Sequence, residues 1–277
     1  MSDSTLEYQY LLRLRASLGA RYSENTISAF LGQSRRFLAV LGARPAYTRE
    51  DVLSYVDKLV LAGYKEQSIH TILGGVRAMF HANNLPWPLQ RRDLHLGLPQ
   101  EDEGGIVMGV QDIAGLIKTM KPVAGSAVVA VALSTVYGLR AAEIAAVISA
   151  GCDGKKLVVQ TVKTGRKREH RIPPVLSKRL RFGGRKIGVD GVHKMFTRLM
   201  TGYVRLPRER EGWHSIRRAL ITGLLESGVP DVVVHRWMGW RTAPNQHAKI
   251  AFRYFKPDGG VLDDQVYAQH PFLPMWG

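Results

Sequence analysis

Pro86, Pro88 and Pro99, followed by the polar stretch 100–105, interrupt a chain that is patterned for helices on both sides. Proline cannot continue a helix, because its ring clashes with the preceding turn and its nitrogen has no hydrogen to donate. The 277 residues therefore divide into two bodies, each long enough to hold a core. The expected boundaries are a helical domain over residues 1–98, a linker over 99–105 and a second domain over 106–277.

In the first body, Ile27, Phe30, Leu31, Phe37, Leu38 and Leu41 approximate one apolar helical face. Thr48 and Asp51 have the spacing of a capping pair, ahead of Val52, Tyr55, Val56, Leu59 and Val60 at helical intervals. A further helix is predicted over 66–81. In the second body the patterning predicts helices over 111–120, 126–137, 192–200, 214–227 and 231–238, with a hairpin built from 156–162 and 169–172. The fold class expected is mainly α with a small antiparallel β-sheet.

Charge narrows the partner. Lysine and arginine number 39 against 23 acidic residues, a net +16, which is the electrostatic footprint of a chain that meets a polyanion. Nucleic acid is favoured over a membrane surface: no basic amphipathic anchor is present, and the longest apolar segment, 123–136, is shorter than the roughly 20 residues a spanning helix needs. Cys152 is the sole cysteine, which excludes an internal disulfide and a cysteine-based zinc cluster. No secretory pattern opens the chain, so an intracellular protein is expected, with no metal and no cofactor.

Chemistry concentrates in a few places. Tyr137-Gly138-Leu139-Arg140-Ala141-Ala142-Glu143 supplies one arginine, and His214-Ser215-Ile216-Arg217 supplies a histidine and a second arginine on one helical face. Met238-Gly239-Trp240 and Arg253-Tyr254 follow. A phosphodiester under substitution gathers charge on its non-bridging oxygens, which guanidinium forks match in shape and charge. A phenol, with a pKa of about 10, needs a cationic surrounding and a proton acceptor to become a nucleophile. Taken singly, Arg140 can be a cation answering a helix end with Glu143 as its local partner, and Trp240 can be core.

Together these motifs resemble the tyrosine recombinase/integrase family. The resemblance extends to Val162-Lys163-Thr164-Gly165-Arg166-Lys167-Arg168, where the family carries a lysine in a β-hairpin, leading to Arg171-Ile172-Pro173. It implies a core-binding domain and a catalytic domain closed around duplex DNA, acting as a homotetramer on a recombination site. It further implies Tyr254 as nucleophile, Arg140 and Arg217 as phosphate clamp, and His214 and Trp240 as further donors or acceptors. Lys163 would be the general acid that protonates the leaving 5′ oxygen, with Lys167 as fallback, and Glu143 would hold the geometry from behind. The product would be a 3′-phosphotyrosine link that keeps the bond energy, so neither ATP nor metal is required. A type IB topoisomerase or telomere resolvase would use nearly the same residues. A non-cleaving DNA-binding protein built on a recombinase is also compatible, because Tyr254 lies fourteen positions beyond Trp240, farther than the family usually places it.

Arg35, Arg36, Arg77, Arg91 and Arg92 near the first domain, and Arg166, Lys167, Arg168 and Arg218 in the second, are expected on DNA phosphates. Tyr267 rivals Tyr254 but lies in a polar stretch, 263–269. Val261, Leu262, Val266, Phe272, Leu273, Met275 and Trp276 load the tail with apolar side chains, which suits either packing in cis or docking on a neighbouring protomer. The resemblance favours the second.

Overall fold

The computed structural model describes residues 3–19, 21–90, 93–94, 105–161, 167–240 and 259–277. The chain separates into two compact units, Met1–Glu103 and Gly104–Gly277.

The first unit is built from α1 (Asp3–Gly19), α2 (Glu24–Leu41), α3 (Arg49–Leu61) and α4 (Glu66–Ala82). Helix starts are set locally. At α3, the Thr48 N–H donates to the Asp51 carboxylate at 2.8 Å and the Asp51 N–H donates to the Thr48 hydroxyl at 3.2 Å. This exchange satisfies two amides that helix geometry leaves unpaired. The apolar faces meet in an aromatic centre, where Phe37 lies 5.1 Å from both Tyr47 and Tyr55 and 5.7 Å from Phe80 between ring centroids. Arg35, Arg36 and Arg77 stay exposed on α2 and α4.

The second unit has α5 (Val110–Met120), α6 (Ser126–Tyr137), α7 (Ala141–Ala150), β1 (Cys152–Asp153), β2 (Lys156–Gln160) and β3 (Lys167–Arg171). It continues with α8 (Pro174–Ser177), β4 (Arg181–Phe182), α9 (Val189–Tyr203), α10 (Trp213–Glu226), α11 (Asp231–Trp237), α12 (Gly259–Ala268) and a 3₁₀ turn, Leu273–Trp276. Strands β1 and β4 form one antiparallel pair, and β2 and β3 another, with Leu157 opposite His170 and Val159 opposite Arg168. No helix among the described residues is long and apolar enough to cross a membrane.

Helix α6 is the axis of this unit. Residues 128–137 are buried all round, so the helix shows no amphipathic stripe and serves as core on every face. It stops at Gly138, whose left-handed φ of +59° a side chain would strain, and a Cβ there would press on the Met238 side chain. The turn delivers Arg140 directly to the head of α7. Helices α7, α8 and α12 and the short pair β1–β4 are absent from the sequence expectations. The alanine-rich α7 has little polar contrast between its faces, two-residue strands have no period, and α12 reads as a polar stretch until its fold partners are known.

For the tail, the sequence leaves packing in cis and docking on a neighbour both open. Val266, Phe272 and Trp276 are fully buried in the core of their own unit, and the Trp276 indole donates to Thr135 Oγ1 at 3.3 Å. The apolar load is therefore spent in cis, against α6, and does not await a neighbouring protomer.

His270 fixes that packing. Its Nε2 lies 2.9 Å from the Val136 carbonyl, while Nδ1 accepts the N–H groups of Phe272 and Leu273 at 3.1 and 2.9 Å. This pattern fits only the neutral ring, and burial pulls its pKa down to about 4. An unfolded imidazole protonates near pH ~6.5, so the unfolded state binds more protons below that value. Stability is then complete above about pH 6.5 and falls as pH drops toward 4, by roughly 3 kcal/mol from this residue. Urea unfolding of the wild type and of His270→Gln at pH 7, 5 and 4 tests this. The glutamine amide can keep a donor and an acceptor, so the variant should show a flatter profile over that window. An equal slope in both proteins would remove His270 as the cause.

Candidate active site

The end of α6, the head of α7, the inner face of β3 and the N-terminal turns of α10 converge around one carboxylate. Glu143 is completely buried. It accepts the Arg140 backbone N–H at 2.9 Å and the Arg140 Nη1 at 3.1 Å, so the residue that starts α7 is clamped by the residue three places on. The Arg140 side chain keeps 22% of its surface exposed, which leaves its guanidinium accessible from outside.

Arg217 enters from α10. It is 1% exposed and donates Nη1 to the Gly138 carbonyl and Nη2 to the Met238 carbonyl, the latter at 3.4 Å. One guanidinium thereby ties the turn before Arg140 to the turn before Trp240. Its carbon also lies 5.7 Å from the centroid of the Trp240 ring, a cation–π distance. Burial pulls the Arg217 pKa down to about 9, with Arg140 and Arg168 pushing the same way and Glu143 opposing, so it stays cationic at neutral pH. His214 lies three residues before Arg217, in the first turn of α10, and is exposed. That turn is anchored by Trp213, whose indole donates to the Val192 carbonyl at 2.8 Å. Arg205 steadies the approach to it by pairing with Asp112 and Glu211 at 2.6 and 2.7 Å.

Arg168 departs from the expectation of a solvated or DNA-contacting side chain. Burial alternates along β3, and Arg168 and His170 fall on the inward positions. Arg168 Nη1 donates to the Trp237 carbonyl at 2.8 Å, and Nη2 lies 3.6 Å from Glu143. Burial lowers its pKa to about 10, against the pull of Glu143. Lys167, one step along the strand, points outward and pairs with Glu169 at 2.8 Å. Arg218 is half-buried, and its guanidinium lies 2.3–2.5 Å from where a Cβ on Gly105 would stand.

The structure thus brings Arg140, Glu143, Arg168, Arg217 and Trp240 together, with His214 on the same helix as Arg217. Lys163, Arg166, Tyr254, Arg91 and Arg92 lie outside the described residues. Tyr267 is tied up elsewhere: its hydroxyl donates to the Arg171 carbonyl at 2.6 Å, and burial pushes its pKa far above the usual phenol range. Trp237 is core, and its indole donates to the buried Asp263 at 3.1 Å. Asp263 also sits 2.9 Å from His170 Nδ1 and accepts the Arg171 N–H at 2.6 Å. Sequence reasoning leaves Asp263 out, since its partners on β3 lie more than ninety positions away.

Chemically, two guanidiniums on one buried carboxylate, with the buried Arg217 bonded to the neighbouring Gly138 carbonyl, leave an excess of positive charge in a largely dehydrated place. Such a site favours an anion that brings acceptor oxygens of its own.

The architecture is that of the tyrosine recombinases and integrases. Lambda integrase, solved as a tetramer bound to a Holliday junction, superposes with a TM-score of 0.61 at 14% identity over 91% of this chain and 79% of its own. The Tn1549 transposon integrase in complex with transposon right end DNA gives 0.58 at 14% identity, over 94% and 98% of the two chains. A lambda integrase dimer bound to a COC′ core site gives 0.56 at 15% identity, over 91% and 97%. No family sequence model matches the chain, and no curated protein matches it by sequence.

Proposed function

We propose that this protein is a site-specific DNA recombinase that cleaves and rejoins strands through a 3′-phosphotyrosine intermediate. The observation that carries the reading is that Arg217 bonds to the carbonyl of Gly138, two residues before Arg140, whose own guanidinium is held by the buried Glu143, so that two arginines 77 positions apart stand at one turn. In this mechanism the two guanidiniums hold the non-bridging oxygens of the scissile phosphate. Their charge is worth more there than in water, because burial removes competing solvent. Tyr254 attacks phosphorus as its phenol proton passes to His214, the bond to the 5′ oxygen breaks, and Lys163 gives that oxygen a proton. His214 and the Trp240 indole assist at the same phosphate. The 5′ hydroxyl of a partner duplex then reverses the step. Energy stays in the phosphotyrosine bond, so the reaction consumes no ATP, and the charge stabilisation comes from side chains. Exchange between two sites calls for four protomers, in line with the tetramer in which lambda integrase was solved. The net charge of +16 suits the DNA partner.

The test is a nicked suicide duplex that traps covalent protein. Tyr254→Phe is expected to abolish the adduct while DNA affinity changes little, because only a hydroxyl is removed. Tyr267→Phe is expected to retain it. Adduct formed by Tyr254→Phe but lost in Tyr267→Phe would overturn the assignment, and no adduct from the wild type on any recombination substrate would overturn the reading itself.

A further inference from the structure

Arg168 stands where three parts of the site join. Its strand begins four residues after Lys163 in the sequence, its Nη2 lies 3.6 Å from the carboxylate that clamps Arg140, and its Nη1 holds the Trp237 carbonyl, three residues before Trp240. The side chain is 6% exposed, so it is walled off from solvent and from any duplex lying on the surface. Room for its stem is made by Gly239: a Cβ there would come 2.6 Å from Arg168 Cδ, and the glycine's φ of +71° disfavours any side chain independently. Arg168 Nε and Nη2 have no hydrogen-bond partner among the described residues, so the guanidinium is held at one nitrogen and by charge. A structural cation at this depth would ordinarily be matched one to one, yet Glu143 is shared with Arg140.

We propose that Arg168 is a positioning residue for the cleavage reaction. It holds Glu143, and through it Arg140, in the geometry that receives the phosphate, and it adds a fixed positive charge behind that site. The role rests on the recombinase reading. It differs from that of the two clamping arginines in that Arg168 acts from the buried side and touches no substrate. Its charge is felt because the intervening medium is protein, where a cation a few ångströms behind the site is weakly screened.

The experiment is single-turnover cleavage of the nicked suicide duplex by full-length wild type, Arg168→Met and Arg168→Lys. Two substrates are compared, one with an ordinary scissile phosphate and one with a neutral methylphosphonate there. Arg168→Met is expected to cleave the ordinary substrate roughly 100-fold more slowly, with DNA affinity within a few-fold of wild type. On the methylphosphonate, which carries less charge to stabilise, the deficit should shrink to below about 10-fold. Arg168→Lys restores charge without the fork and is expected to fall between the two. An equal deficit on both substrates would mean Arg168 only supports the fold. A deficit confined to DNA affinity would return it to the DNA-contacting class, and wild-type rates in a folded Arg168→Met would also overturn the proposal. If Arg168→Met does not fold, the neutral Arg168→Gln carries the test by the same substrate comparison. Failure of the wild type to form adduct would instead bring down the recombinase reading, and this role with it.

Discussion

Removing residues 261–277 is expected to unfold the second unit and not merely to uncouple protomers. The deletion withdraws Val266, Phe272 and Trp276, all fully buried, and each such side chain contributes about 1.5–3 kcal/mol. It also takes away Asp263, leaving the Trp237 indole, His170 Nδ1 and the Arg171 N–H without their acceptor. Every buried polar group so orphaned costs about 1–3 kcal/mol. Together these losses reach the roughly 5–15 kcal/mol that holds a whole domain folded. Circular dichroism melts and limited proteolysis of the truncated protein would show it: loss of a cooperative transition and rapid digestion of the second unit, with residues 1–103 resisting longer. A truncated protein that melts like the full chain, yet fails to assemble on paired sites, would mean the tail serves association after all.

Glu143→Ala is the second large effect. Removing one partner of a buried ionic cluster leaves the other charges uncompensated, at a cost of about 3–5 kcal/mol. Here Arg140 and Arg168 would lose their shared carboxylate, with Arg217 adding a third positive charge nearby. For a unit of this size, that corresponds to a fall in Tm of roughly 10 °C. Glu143→Gln keeps an acceptor for the Arg140 N–H but drops the charge, so it should fall between wild type and alanine. Differential scanning calorimetry decides the matter. A Glu143→Ala protein with an unchanged Tm would show that the arginines are hydrated and that the cluster is not the closed electrostatic unit described.

Local chemistry was readable from the sequence. The Thr48–Asp51 exchange involves residues three positions apart, and the boxes around Arg140 and Arg217 are contiguous motifs. What escaped depends on register or on distance along the chain. Arg168 sits in a run of basic residues, and whether it points in or out is decided by a one-residue shift in strand pairing that no single sequence fixes. The alanine-rich α7 carries small residues on its exposed face, so little polar contrast marks its period in the sequence. Asp263, His170 and His270 read as ordinary polar residues until α12 and the final turn are folded onto β3 and α6, bringing together groups 93 and 134 positions apart.

The hydrogen bond from Trp237 to Asp263, at 3.1 Å, closes a ring of chain that contains Tyr254. Both ends of that ring, Trp237 and Asp263, are buried. Closing a flexible loop grows dearer only with the logarithm of its length, by about 0.6 kcal/mol for each doubling. A tyrosine fourteen positions from Trp240 therefore changes the cost of closing the ring little compared with one placed nearer. Spacing along the sequence and stability of the unit become independent variables, and under the proposed mechanism the interval between Trp240 and Tyr254 can change in length while the pairing of Arg140 with Glu143 is kept.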